Sequence, residues 1–288
     1  MADYKLALIG YPLGHSLSPI LYKTAFKNLG IEGSYEILPT QNEELINRIK
    51  YLRVNKYYGF NITIPHKVPM TLFLSKFDEY VNLTGAVNTI KIEDDLSLSG
   101  YNTDVWGFME AIPKEVDLTN KHAAVIGTGG ASRAICAGLY KLGVSKIDMY
   151  TRNIVDSKNT VDTLRKRFPN IEFLAIQSSL MHGLENIDIL VNTTPLGMKN
   201  FNEETSPVDD ENMKTLPDNA IVYDIVYNPL KTALISKAIK HNKQYITGID
   251  MLIYQAIRAI EIWCDKKADF NAMKIAAMEE LLVKNTSN

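Results

Sequence analysis

The chain has 288 residues, 46% hydrophobic and 22% charged, enough for two ordinary globular domains. A formal net charge of -2 without a dense basic cluster argues against a nucleic-acid partner, and no apolar run approaches the roughly 20 residues of a spanning helix, so no membrane partner is expected. Two cysteines, Cys136 and Cys264, are too few for a disulfide framework or a four-ligand zinc site; they read as reduced packing residues.

In chain order, strand-like and helix-like segments alternate, which is the pattern of an α/β architecture. Residues 5–10 read as a strand. A helix follows, with Ser18 as N-cap and Pro19 at its first position, and Gly30 is placed to end it. A second strand is expected over 34–38. Thr40 and Glu43 make a capping-box pattern ahead of Leu45, Ile46, Ile49 and Leu52, whose spacing is helical. Residues 60–64 read as a third strand that stops at Pro65, and two short strands flank the turn at Asp94-Asp95.

The second half has a plainer rhythm. Residues 123–126 form an apolar strand, a glycine turn follows, and a helix is expected from about 132 to 142, closed by Gly143. Further strands are expected at 147–150, 173–176, 187–192, 220–225 and 244–247. Short strands joined by helical segments predict a parallel, doubly wound sheet. From 251 to about 283 the pattern becomes two helices.

Two regions carry chemistry. The run Gly127, Thr128, Gly129, Gly130, Ala131, Ser132 follows a strand and opens a helix. Glycines there permit a tight turn and a close approach of backbone to a pyrophosphate, and the helix start offers free N–H groups. Ser132 stands where the usual fingerprint has its third glycine. The next strand ends in Thr151-Arg152-Asn153. A carboxylate there would bind a ribose 2′-hydroxyl, whereas the Arg152 guanidinium suits a 2′-phosphate, which favours NADP. The bland reading of Arg152 is a solvated surface arginine.

The first half supplies side-chain chemistry. Ser16 and Ser18, in Gly14-His-Ser-Leu-Ser-Pro19, are able to hydrogen-bond a carboxylate, although Ser18 also serves as a plain helix cap. Asn61 and Thr63 alternate along one strand and share a face. Lys67, at the end of that strand, is the candidate proton-transfer group. Asn88 and Thr89 follow Gly85-Ala-Val, and Asp104 starts a helix, where capping is its bland reading. His15 and His66 flank the region but pair with no carboxylate at a readable spacing.

These runs resemble the shikimate dehydrogenase family, including its quinate-oxidising relatives. The matching pieces are Gly14-His-Ser-Leu-Ser-Pro, Asn61-Ile-Thr-Ile-Pro-His-Lys, Gly85-Ala-Val-Asn-Thr, Gly100-Tyr-Asn-Thr-Asp and Gly127-Thr-Gly-Gly-Ala-Ser-Arg. Asn192-Thr-Thr-Pro-Leu-Gly-Met, Asp224-Ile-Val-Tyr-Asn-Pro and Gly248-Ile-Asp-Met-Leu-Ile-Tyr-Gln255 extend the match. They follow the family's order from about residue 10 to residue 256.

The resemblance implies NADP-linked interconversion of shikimate and 3-dehydroshikimate in aromatic amino-acid biosynthesis, by a monomer or homodimer. It implies Lys67 as acid/base with Asp104 as its partner, and Ser16 and Ser18 on the substrate carboxylate. It puts Asn61, Thr63, Asn88, Tyr227 and Gln255 on the ring hydroxyls, and Asn192, Ile225, Gly248 and Met251 on the nicotinamide side. Two domains are expected. Residues 1–103 bind substrate and are completed by helices at 249–288, while a Rossmann-type domain at 104–248 binds NADP. Quinate-using relatives often carry threonine at the Ser18 position, and NAD-using ones an aspartate near Arg152. The runner-up is a broader NAD(P)-dependent quinate/shikimate dehydrogenase. A catalytically silent NADP sensor is the reading from another class, and intact Lys67 and Asp104 speak against it. No metal is expected. A cytoplasmic location follows as the default, since the N-terminal run has no signal-peptide pattern.

Overall fold

A computed structural model describes residues 4–14 and 16–286. Two compact units emerge, Met1–Gly107 with Ile253–Asn288, and Phe108–Leu252. Among the described residues no helix is long and apolar enough to cross a membrane.

In the first unit, β1 (Tyr4–Gly10), α1 (Ser18–Leu29), β2 (Gly33–Pro39), α2 (Leu45–Val54), β3 (Gly59–Ile62), β4 (Lys76–Phe77), α3 (Glu79–Thr84), β5 (Thr89–Ile92) and β6 (Leu98–Tyr101) precede α4 (Thr103–Glu110). The sheet order is β2-β1-β3-β5-β6-β4. β1 runs parallel to β2 and β3, and β5 is antiparallel to β3 and β6. Phe60, Ile62, Leu52, Ile90 and Leu98 bury one face of this sheet.

Three local expectations shift. Ser18 is the first residue of α1, not its cap: Leu17 already has helical dihedrals, and the Ser16 hydroxyl accepts the Ser18 N–H at 3.1 Å. The capping box falls one residue later, on Gln41 and Glu44, because Thr40 donates its hydroxyl to Leu38 O and accepts from Arg48. β3 ends at Ile62, where its register with β1 also ends, one residue past its last pair with β5. Gly30 ends α1 in the left-handed conformation, as its position predicts.

The second unit contains β7 (His122–Ile126), α5 (Gly130–Lys141), β8 (Lys146–Thr151), α6 (Ile154–Arg167), β9 (Glu172–Gln177), β10 (Ile189–Asn192), α7 (Asp210–Thr215), β11 (Ile221–Asp224), α8 (Ala233–Lys240) and β12 (Gln244–Thr247). Its strands are all parallel, in the order β12-β11-β10-β7-β8-β9. That is the doubly wound arrangement of two mononucleotide-binding halves, with the order reversing between β7 and β10. Gly138 lets α5 press on α4, since a Cβ there would meet Phe108 at 2.5 Å.

Two helices finish the chain, α9 (Gly248–Cys264) and α10 (Phe270–Thr286). α10 packs on α1, and Trp263 of α9 donates its indole N–H to Ile90 O at 2.9 Å. Gly59 makes room for that indole, because a Cβ would collide with Trp263 Nε1 and Ile90 O. The sequence thus folds as two α/β sheets, the second of Rossmann type.

Candidate active site

β3 runs into a turn in which the His66 N–H bonds Thr63 O, and the turn delivers Lys67. His66 itself is fully buried with Nε2 on Thr40 O at 2.8 Å, so it holds the turn and does not face a ligand. Lys67 Nζ donates to Asp104 Oδ2 at 2.7 Å, with both side chains mostly buried. Asp104 lies in the first turn of α4, where the helix dipole favours a carboxylate.

Asn88 fixes the other carboxylate oxygen. Its amide donates to Asp104 Oδ1 and to Thr103 Oγ1, both at 2.9 Å, while its carbonyl accepts the Thr103 N–H at 2.8 Å. Thr103 Oγ1 also reaches Gln255 Oε1 at 3.4 Å. One asparagine therefore ties the start of α4 to the head of β5 and aims the carboxylate at the lysine.

Asn61 is held more tightly than its sequence suggests. Its Oδ1 accepts from Tyr22 and Tyr35, each at 2.8 Å, and its Nδ2 donates to Asn88 O and Thr89 Oγ1. All four bonding positions of the amide are engaged. The two tyrosine rings stack at 4.2 Å, and burial pushes both hydroxyls well above the tyrosine range, which keeps them donors. A continuous polar run therefore links Tyr35 through Asn61, Thr89, Asn88 and Asp104 to Lys67. Tyr22, Tyr35 and Thr103 escaped the sequence reading. Thr103 sits inside a motif run and was findable there; the tyrosines come from α1 and β2, and nothing in their own spacing marks them. Ser16 and Thr63 are half-buried nearby in sequence, and His15 lies outside the described residues.

The second unit offers backbone instead of side chains. Gly127 has φ +104°, and a Cβ there would meet Thr193 Oγ1 at 2.7 Å, so the turn after β7 requires glycine. Gly129 caps α5 with no side-chain bond, and nothing lies within 4 Å of a Cβ built on Gly129 or Gly130. Thr128 and Ala131 are half-buried beside them. Ser132, in the third-glycine position, is fully buried and returns its hydroxyl to Gly129 O at 2.7 Å. The helix thus starts with open N–H groups over an uncluttered turn, which fits a dinucleotide diphosphate.

At the end of β8, Thr151 is buried and Arg152 exposed, while Asn153 caps α6 by accepting from Val155 N and Asp156 N. At the ends of β10 and β11, Asn192 is fully buried, with its amide on Asp224 Oδ1 and its carbonyl oxygen on Thr194. Ile225 follows β11, and Gly248 presses on its carbonyl so closely that a Cβ would collide with Ile225 C and O. Met251 is buried, and Tyr227 is half-buried with its hydroxyl pushed up by burial. The predicted residues therefore gather in two places. Lys67, Asp104, Asn88, Asn61 and Gln255 share one network in the first unit, with Ser18 buried at the start of α1. The glycine turn, Thr151, Arg152, Asn192 and Ile225 follow the carboxyl ends of strands in the second.

Residues 8–90 match the family model of the shikimate dehydrogenase substrate binding domain, and residues 248–278 that of the shikimate 5′-dehydrogenase C-terminal domain. The shikimate dehydrogenase (NADP+) of Nitrosopumilus maritimus is 38% identical over 94% of this chain and 97% of its own. A shikimate dehydrogenase crystallised with NADP+ superposes with a TM-score of 0.88 at 33% identity, over 97% of this chain and 96% of that one. The shikimate 5-dehydrogenase of Thermus thermophilus, crystallised with NADP(H) and shikimate, gives 0.83 at 30% identity over 96% and 99%. With the relatives covered nearly end to end, this chain belongs to the shikimate dehydrogenase family.

Proposed function

We propose that this protein catalyses the reversible, NADP-dependent reduction of 3-dehydroshikimate to shikimate, a step of chorismate and aromatic amino-acid biosynthesis. The observation that carries the reading is the Lys67–Asp104 pair at 2.7 Å, with Asn88 on the second carboxylate oxygen. NADP, when bound, supplies or accepts the hydride at its nicotinamide ring.

The chain's own residues handle the proton and the orientation. In the reductive direction Lys67 donates a proton from Nζ to the oxygen that is becoming an alkoxide; in the oxidative direction Nζ takes that proton back. Asp104 holds the Nζ hydrogens in place, and Asn88 keeps Asp104 from rotating away. Ser16 and Ser18 take the substrate carboxylate, and Thr63, Asn88, Gln255 and Tyr227 take ring hydroxyls. Asn61 joins them only by exchanging one of its four present bonds. We read the first unit as the substrate domain and the second as the NADP domain, with the diphosphate on Gly127–Ala131 and the 2′-phosphate on Arg152. We place the enzyme in the cytoplasm, in keeping with its two unpaired cysteines.

Initial rates of reduced-cofactor formation from shikimate and from quinate, each with NADP and NAD, test the reading. A large preference for shikimate with NADP is expected. Comparable rates with quinate or NAD would move the chain to the broader quinate/shikimate branch, and no rate with any pair would overturn the enzymatic reading.

A further inference from the structure

Asp224 is a buried carboxylate that the reaction above does not use. It closes β11, is 0% exposed, and among the described residues takes hydrogen bonds from neutral donors. Asn192 Nδ2 at 2.9 Å and Val226 N at 3.0 Å reach Oδ1, and Thr232 Oγ1 at 2.6 Å reaches Oδ2. Each donor anchors a different piece of backbone. Asn192 carries the turn after β10, where Thr194 N and Oγ1 bond its carbonyl oxygen. Val226 fixes the bend after β11, with Ile225 N on Asn192 O at 3.2 Å. Thr232 caps α8 by accepting Ile235 N. Gly248 then packs directly against the Ile225 carbonyl.

β10 and β11 belong to the second mononucleotide half of the sheet; β7 and β8, with the glycine turn and Arg152, belong to the first. The first half takes the adenosine end, so the backbone that Asp224 ties together faces the other nucleotide. Resting on the NADP reading, we propose that Asp224 is a positioning residue for the nicotinamide half of the dinucleotide: through Asn192, Val226 and Thr232 it shapes the turns after β10 and β11 that receive that half. It touches neither substrate nor cofactor in this role.

Removing the carboxylate strands three buried donors, whereas asparagine can keep the Asn192 and Val226 bonds and donate to Thr232. The test is titration of the wild type, Asp224→Ala, Asp224→Asn and Thr232→Val with NADPH and with 2′,5′-ADP, which carries only the adenosine half. Asp224→Ala should weaken NADPH binding about tenfold or more and leave 2′,5′-ADP unchanged within about twofold; Asp224→Asn should restore NADPH to within about threefold. Equal loss of both ligands in Asp224→Ala would mark a merely structural residue, and unchanged NADPH affinity would also overturn the inference. Should Asp224→Ala not fold, Thr232→Val decides: a selective loss of NADPH supports the inference, and no loss overturns it. A wild-type protein that binds neither ligand would overturn the cofactor reading itself, and the inference with it.

Discussion

The two candidate regions solve opposite problems. Around Lys67 the first unit crowds polar side chains together and engages them with one another, down to all four bonding positions of Asn61. Around Gly127 the second unit removes side chains and leaves backbone N–H groups open. Acid–base chemistry needs one group held at a defined distance and angle, so fixed neighbours are an advantage. Binding a diphosphate needs bulk kept away from backbone donors, so missing atoms are the advantage. Deletions should therefore hurt the first region and additions the second.

The sharpest deletion is Lys67→Ala. Loss of a general acid/base group costs roughly 10²- to 10⁴-fold, so kcat for shikimate oxidation should fall about 10³-fold while the shikimate KM moves only a few-fold. Steady-state kinetics with saturating NADP measure both. A variant with near-normal turnover would remove Lys67 from the chemistry and leave its bond to Asp104 as ordinary structure. Asn88→Ala should show a milder version of the same pattern, because Asp104 Oδ1 loses its amide donor.

The second unit has a counterpart in Asp224, whose carboxyl burial pushes up to about 6 from 3.8. A carboxyl raised in the folded state binds its proton more tightly there than in the unfolded chain. Its stabilising contribution is therefore complete below about pH 3.8 and is lost as pH rises to about 6. The full effect is roughly 3 kcal/mol. Denaturant unfolding of the wild type and Asp224→Asn between pH 4 and 7 isolates it. The stability difference should move in favour of the asparagine variant as pH rises through that window. A difference that stays flat would mean the carboxyl titrates normally inside the fold.

An addition tests the glycine turn. Gly127→Ala puts a side chain on a φ of +104° and drives Cβ toward Thr193 Oγ1. Strain of about 1–3 kcal/mol should lower the melting temperature and weaken NADPH binding about tenfold, with the Lys67 network untouched. Equal affinity in the variant would mean the turn has slack and that the comparison between crowded and open regions is overdrawn.

How much of this could be read from residues alone follows the same division. The strand–glycine–helix run at 123–142 was legible because backbone requirements write themselves as glycine and as apolar runs. The parallel order of the second sheet follows from the same rhythm, and β12 falls on the span its pattern predicts. Ends that depend on a single dihedral were not legible. Leu17 is already helical, so Ser16 and not Ser18 reaches the free N–H, and Thr40 spends its hydroxyl on Leu38 O, which shifts the capping box to Gln41. The alternation of Asn61 and Thr63 locates a face but says nothing of Tyr22 and Tyr35, which arrive from other elements to engage the amide. Asp224 ends a strand of four buried residues, and its partner Thr232 stands eight residues on, past a bend no periodicity marks.

Arg152→Ala bears on the open region's selectivity. An exposed guanidinium reaching a 2′-phosphate is worth about 1.5 kcal/mol, so the ratio of kcat/KM for NADP over NAD should fall about tenfold, chiefly through the NADP KM. Asp156 limits the starting ratio. It lies in the first turn of α6, and Asn153 Nδ2 holds its carboxylate at 2.8 Å. On the proposed reading, a fixed negative charge three residues from the cap would oppose the 2′-phosphate that Arg152 is assigned to attract. Asp156→Asn should therefore raise the ratio by a few-fold, and the double variant should fall between the two singles. An unchanged ratio in Arg152→Ala would make Arg152 a solvated surface residue and shift the 2′-phosphate reading away from the tip of β8.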